Sequence, residues 1–276
     1  MVPIKRELGL NPNMGLGGLQ DIGGARFVID NTESINKAYQ LLNKHSFSSF
    51  EFEKSYNYID NPKDSGYRGY HLVYKYHSSD ESDGLNIELQ IRTKLQHDWA
   101  MAVETAELIS KSALKASVGD KEWLAFFQLT SAIFAKKEKS VVNSRFIDYD
   151  EERFCKEYAK INASNNFLDQ LRGLRTIVKV APTVDFTGGY CLIVIDFDNK
   201  RVQYKCFKTD EYEEANSLYV KLESSQTMEV GKATVLVSVN DIENLRKSYP
   251  SYFLDTAEFI EALKSFTDIC KVKKYI

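Results

Sequence analysis

The sequence predicts an α/β chain of the α+β kind: a mixed sheet flanked by helices, then a helical linker, then a small C-terminal α+β domain. Three observations carry this. The stretch Leu85 to Arg92, LNIELQIR, alternates without a break, so Leu85, Ile87, Leu89 and Ile91 fall on one side of a strand and Asn86, Glu88, Gln90 and Arg92 on the other. Ahead of it, strand and helix patterns alternate as in a β-α-β unit. Behind it, helical spacing persists to about residue 178 before strand patterns return. Three segments follow from this, residues 1–137, 138–182 and 183–276.

Residues 1 to 20 hold Gly9, Gly15, Gly17 and Gly18, and Gly23 and Gly24 follow Asp21, so several backbone amides can approach a ligand closely. No strand precedes them, so they form neither a Walker loop nor a dinucleotide fingerprint, and a plain N-terminal coil fits them equally well. Arg26 opens the apolar strand Phe27 to Ile29. Thr32 is the expected cap of a helix in which Ile35, Ala38, Tyr39 and Leu42 recur at helical spacing, and a short strand follows around Phe50 to Phe52. The loop from Tyr58 to Gly69 holds the turn formers Pro62, Asp64, Ser65 and Gly66 and leads into a strand, Leu72 to Tyr76. It reads as an ordinary hairpin loop, or as a fixed frame for Lys63, Tyr67 and Arg68.

After the central strand, Lys94 to Ser117 is an expected helix with Leu95, Trp99, Ala102, Ala106, Ile109 and Ala113 on one apolar stripe, while Glu104 lies off it. A second helix, Lys121 to Lys137, carries Trp123, Phe127, Thr130 and Phe134 and runs into the charge run KKEK, expected to be a solvated helix end at a domain boundary. Helices are expected within 146–178 up to Pro182. A hairpin follows, Tyr190 to Phe197 and Arg201 to Phe207, and then a helix at 209–224, a strand from Ala233 to Val239, and helices at 240–248 and 255–266. The second half shows no carboxylate pair, nucleophile setting or metal cluster above background.

At 276 residues, 43% hydrophobic and 27% charged, the chain has the composition of a globular protein with a sizeable core. Residues 1–135 hold 14 Lys+Arg against 17 Asp+Glu, which excludes a dense basic field for coating nucleic acid. Cys155, Cys191, Cys206 and Cys270 lie far apart with no CxxC pair, so reduced thiols in a cytoplasmic protein are expected. The start, MVPIKREL, lacks the apolar core of a signal peptide, and no run reaches the length of a membrane span, so no membrane partner is expected.

If the strands bearing Asp21 and Glu88 are neighbours, two carboxylates share a cleft with a tyrosine, cations and a glycine-rich loop. That set suits Mg²⁺-assisted transfer of a phosphate-containing group. A pair of unrelated surface acids would leave the same trace in the sequence.

The wording is more specific than the spacing. DIGGARFVI, YIDNPKDSGYRGYHLVY and IELQIRTKLQHDWAMAVE, in this order, resemble the synthetase domain of RelA/SpoT-type alarmone synthetases over about residues 5 to 115, in particular the small single-domain and toxin-like branch. The resemblance implies a nucleotidyltransferase-like fold for 1–137 and transfer of the β,γ-pyrophosphate of ATP to the 3′-hydroxyl of GDP or GTP, giving (p)ppGpp in the stringent response. It implies Asp21 as a Mg²⁺ ligand and Glu88 as the essential glutamate, on the metal or on the 3′-hydroxyl. It implies Tyr67 as the platform for the acceptor base, with Lys63, Arg26, His71, Gln90 and Arg92 lining the site; the loop's own residues add Arg68, with Lys63, as a cation for the phosphates of a base stacked on Tyr67.

Two departures from the pattern set further expectations. Only 20 residues precede Asp21, with glycines where the family tends to carry cations, so Lys5 and Arg6 are the donor-side candidates and weak ATP binding is expected. The histidine-aspartate hydrolase domain of bifunctional members has no counterpart, since His97-Asp98 stands alone, and alarmone hydrolysis is not expected. The leading reading is a single-function alarmone synthetase with an accessory C-terminal domain. Its rivals are a toxin of the same family that pyrophosphorylates the 3′ end of tRNA, and an inactive nucleotide-binding or interaction module. ATP, GDP or GTP, tRNA and a second copy of the chain are the partners these readings bring in.

Overall fold

The computed structural model describes residues 23–44, 47–110, 120–175, 188–196, 201–226, 232–239 and 256–276. The chain divides into two units: residues 1–97 with 131–148, and residues 98–130 with 149–276.

The first unit is built on a four-stranded mixed sheet, β1 (Gly23–Ile29), β2 (Phe50–Asn57), β3 (Tyr70–Tyr76) and β4 (Asn86–Thr93), in the order β1-β4-β3-β2. β4 lies in the interior, parallel to β1 and antiparallel to β3, while β2 pairs antiparallel with β3 through an irregularity between Phe52 and Lys54. Helix α1 (Thr32–Lys44) covers one face. There Ile35, Ile59, Tyr70, Leu72, Tyr74 and Ile91 form the core, with Ile29, Ala38, Tyr39, Leu42 and Leu89 against them. Leu89 and Ile91 on the apolar side of LNIELQIR therefore pack into the core under α1, which turns Glu88, Gln90 and Arg92 to the other face. At the sheet edge β1 buries less than its composition suggests: Phe27 is 52% and Val28 47% exposed.

The cap of α1 differs from expectation. Asn31, not Thr32, takes the role, its Oδ1 accepting from the Ser34 amide at 2.8 Å while its carbonyl accepts from Ile35 at 3.1 Å. Thr32 is already the first helical residue.

Helix α2 (Lys94–Ser110) follows β4 directly, and the rest of its expected length lies outside the described residues. Helix α3 (Lys121–Lys137) has the expected span. In the second unit Trp99 is packing, as its place on the apolar stripe suggests: it is 3% exposed and donates Nε1–H to the Phe127 carbonyl at 2.9 Å. Around it lies an aromatic core of Trp123, Phe126, Phe127, Phe167 and Phe259. Helices α4 (Glu151–Asn165), α5 (Phe167–Arg175) and α7 (Ala257–Val272) belong to this unit. So does an antiparallel sheet of β5 (Gly189–Asp196), β6 (Arg201–Lys208) and β7 (Lys232–Val239), in the order β6-β5-β7, whose core residues Leu192 and Phe207 meet Ala215 and Tyr219 of α6 (Tyr212–Gln226). The expected helix at 240–248 and the turn 198–200 lie outside the described residues.

All four cysteines are paired, which corrects the expectation of reduced thiols. Cys155 of α4 is bonded to Cys270 of α7, and Cys191 is bonded to Cys206, its direct cross-strand partner on β6. Distance along the sequence, 115 residues for the first pair, hid a contact that only helix packing creates. The case for a reducing compartment rested on unpaired cysteines and loses that support. Among the described residues no helix is long and apolar enough to cross a membrane.

Candidate active site

The polar side of β4 forms the floor of the site. Gly24 lies opposite Glu88 in the parallel β1-β4 pair, and a Cβ there would stand 2.5 Å from the Glu88 carbonyl oxygen, so the glycine allows β1 to approach the strand at its functional residue. On the other side, His71 of β3 stands opposite Gln90. One face thus gathers Arg26, His71, Glu88, Gln90 and Arg92.

These side chains form one continuous network. His71 Nδ1 is 2.6 Å from Glu88 Oε1, and Gln90 Nε2 donates to Glu88 Oε2 at 2.5 Å. Gln90 Oε1 accepts in turn from Arg92 Nη2 at 2.6 Å and from Arg26 Nε at 3.4 Å. Arg92 Nε donates to the Tyr67 hydroxyl at 3.1 Å, and that hydroxyl is 2.5 Å from His71 Nε2. His71 thus bridges Glu88 and Tyr67 through its two ring nitrogens, and the phenol oxygen, which accepts from Arg92, joins the same chain.

Electrostatics follow from this arrangement. Burial pushes the Glu88 carboxyl up, but the hydrogen bonds from His71 and Gln90 and the charges of His71 and Arg92 outweigh it and hold the group below the ordinary carboxylate range. Glu88 is therefore a fixed anion, its side chain 11% exposed. For Tyr67 the balance is opposite: burial raises the phenol more than Arg92 lowers it, so the hydroxyl keeps its hydrogen.

The predicted residues separate into three groups. Glu88, Gln90, Arg92, His71, Arg26 and Tyr67 come together. Lys63 joins them from the loop, exposed, its ammonium 4.4 Å from the Tyr58 ring centroid and 5.4 Å from that of Tyr67. Asp21, Lys5 and Arg6 lie outside the described residues. Arg68 is a correction: it is only 3% exposed, and its guanidinium is engaged with Glu138 at 2.7 Å and with Ser140, so it anchors the loop and does not line the site.

Tyr67 is more enclosed than a bare base platform. It is 5% exposed, Tyr58 and His71 meet it edge to face, and Lys63 and the Arg92 guanidinium lie over its ring. The more open rings are Tyr56 and Tyr58, parallel to within 4° at 5.7 Å, which sequence reasoning missed. Their signal was present as an i, i+2 pair at the end of a strand, where both rings fall on one side. Glu138 was missed for a different reason: a carboxylate within KKEK looks solvated until the fold turns it inward.

Among the described residues of this face, Glu88 offers a carboxylate, a hard oxygen ligand that suits a divalent cation. Among the described residues no group of three His, Cys, Asp or Glu side chains stands ready to hold a metal ion.

Residues 9–113 match the family model described as "Region found in RelA / SpoT proteins". No curated protein matches the chain. Among solved structures, a GTP pyrophosphokinase family protein from Streptococcus pneumoniae is 22% identical, with 49% of this chain and 66% of that one covered at a TM-score of 0.42. The small alarmone synthetase 1 from Bacillus subtilis bound to its product pppGpp is also 22% identical, with 50% and 69% covered at a TM-score of 0.43. This chain spans only about two thirds of the length of either, and likenesses this loose do not place residues. The family match falls on the segment that carries β1 to β4, the loop and Glu88.

Proposed function

We propose that the first unit transfers the β,γ-pyrophosphoryl group of ATP to the 3′-hydroxyl of GDP or GTP. The observation that carries this is Glu88, an anion fixed by His71 and Gln90 on the face of a sheet, with Arg26, Arg92 and Lys63 around it and tyrosine rings at its rim. In the reaction the 3′-oxygen attacks the β-phosphorus, the bond from that phosphorus to the α,β-bridging oxygen breaks, and AMP leaves with the electron pair. Glu88 takes the proton of the attacking hydroxyl, and its ionised state makes it ready to do so. The cations Arg26 and Lys63 offset charge on the transferred phosphates. The acceptor base rests against Tyr58, the more open ring beside Tyr67. Mg²⁺ would be held by Asp21 and Glu88, and when bound it supplies charge neutralisation at the phosphates.

The test is incubation with γ-labelled ATP and, separately, GDP, GTP, ATP and bulk tRNA. Label on GDP or GTP is expected. Label on tRNA alone would replace this reading with that of a tRNA-modifying toxin, and label on none would make the unit an inactive binding module.

A further inference from the structure

We infer that Glu138, with Ser131 and Asn143, is a positioning device for the acceptor loop, outside the RelA/SpoT region that contains the loop itself. The inference rests on the pyrophosphoryl-transfer reading above. Residues 61–69 present Lys63 and Tyr67 on one side, and their other side is held at three points. Ser131 Oγ donates to the Gly66 carbonyl at 2.5 Å, where Gly66 adopts φ +93° to close a turn whose amide returns to Lys63 O at 2.8 Å. Asn143 Nδ2 donates to the Lys63 carbonyl at 3.5 Å. Glu138 receives Arg68 at 2.7 Å, and the two side chains are 9% and 3% exposed.

Glu138 also ties the loop to the catalytic strand. Its Oε1 accepts from Thr93 Oγ1 at the end of β4, and its Oε2 accepts from Gln96 Nε2 at 3.2 Å. Thr93 and Gln96 cap the start of α2 reciprocally, Thr93 N–H to Gln96 Oε1 at 3.1 Å and Gln96 N–H to Thr93 Oγ1 at 3.2 Å. One buried carboxylate therefore fixes the distance between the strand that bears Glu88 and the loop that bears Tyr67. Loss of its charge leaves Arg68 buried without a counter-ion, and the loop must open to hydrate it. Glu138 touches neither substrate nor reacting atoms, so its effect reaches the reaction through Tyr67 and Lys63.

The experiment uses the full chain as Glu138→Gln and, in parallel, as Ser131→Ala, which leaves the ion pair intact and carries the same test should the first variant not fold. Two readouts are taken: amide hydrogen exchange, and KM and kcat for each substrate. Amides of residues 66–69 should exchange at least about tenfold faster in Glu138→Gln while those of β3 and β4 stay protected, and KM for the guanine nucleotide should rise about tenfold, less in Ser131→Ala. kcat and the KM for ATP should stay within about twofold. Unchanged loop exchange, exchange that rises equally across the sheet, or a parallel loss for both substrates would overturn the positioning role. A wild-type chain that transfers to no acceptor would instead overturn the proposed function, and the exchange data would still decide whether Glu138 holds the loop.

Discussion

At the scale of residues, the site was legible where side-chain alternation decides the outcome. Glu88, Gln90 and Arg92 share a face because a strand has a period of two, and Arg26 and His71 join them because β1 and β3 are its neighbours. Hydrogen-bond partners were not legible, and they change the expected behaviour of Tyr67. Read as a stacking ring, Tyr67 should tolerate Tyr67→Phe. In the structure its hydroxyl is shared by Arg92 Nε and His71 Nε2, both within a largely buried network. Tyr67→Phe leaves those two groups without their partner, at a cost of about 1 to 3 kcal/mol, and frees His71 to turn away from Glu88. We expect urea denaturation to show a loss of that size and transfer to fall about tenfold or more. A variant equal to wild type in both would mean that the ring alone matters.

At the scale of elements, periodicity and caps gave the helices and strands, and errors arose where a single contact decides. Asn31 and Thr32 are both good cap residues, and which one acts depends on where the chain turns out of β1. Asn31→Ala should cost the first unit about 1 kcal/mol through loss of the bond to the Ser34 amide, while Thr32→Ala should cost less than about half of that. Equal losses in chemical denaturation, or a larger one at Thr32, would contradict the assignment. The KKEK run shows the same limit in a sharper form. Its lysines are exposed as expected, yet Glu138 between them is turned to Arg68, 70 residues away in sequence. Local charge patterning describes a helix surface, but it cannot register a partner that the tertiary fold delivers.

At the scale of the whole molecule, an α+β chain with a mixed N-terminal sheet and a smaller three-stranded sheet was legible, since each sheet announces itself by short-range pattern. The pairing of cysteines was not, because it depends on which helices meet. A bridge between residues as distant as Cys155 and Cys270 should stabilise the second unit by roughly 3 to 5 kcal/mol through restriction of the unfolded chain. Thermal unfolding with and without reductant should then show a clear drop in the melting temperature in reductant, and coincident curves would mean that the thiols are free in the protein. The central claim, that Glu88 is the base of a pyrophosphoryl transfer, is tested most directly by phosphorus NMR of the products formed from ATP and GTP by the wild-type chain and by Glu88→Gln. AMP and a 3′-pyrophosphorylated guanosine nucleotide are expected in equal amounts from the wild type, with a loss of about a hundredfold or more in the folded variant. ADP in place of AMP, or undiminished product from Glu88→Gln, would contradict that claim.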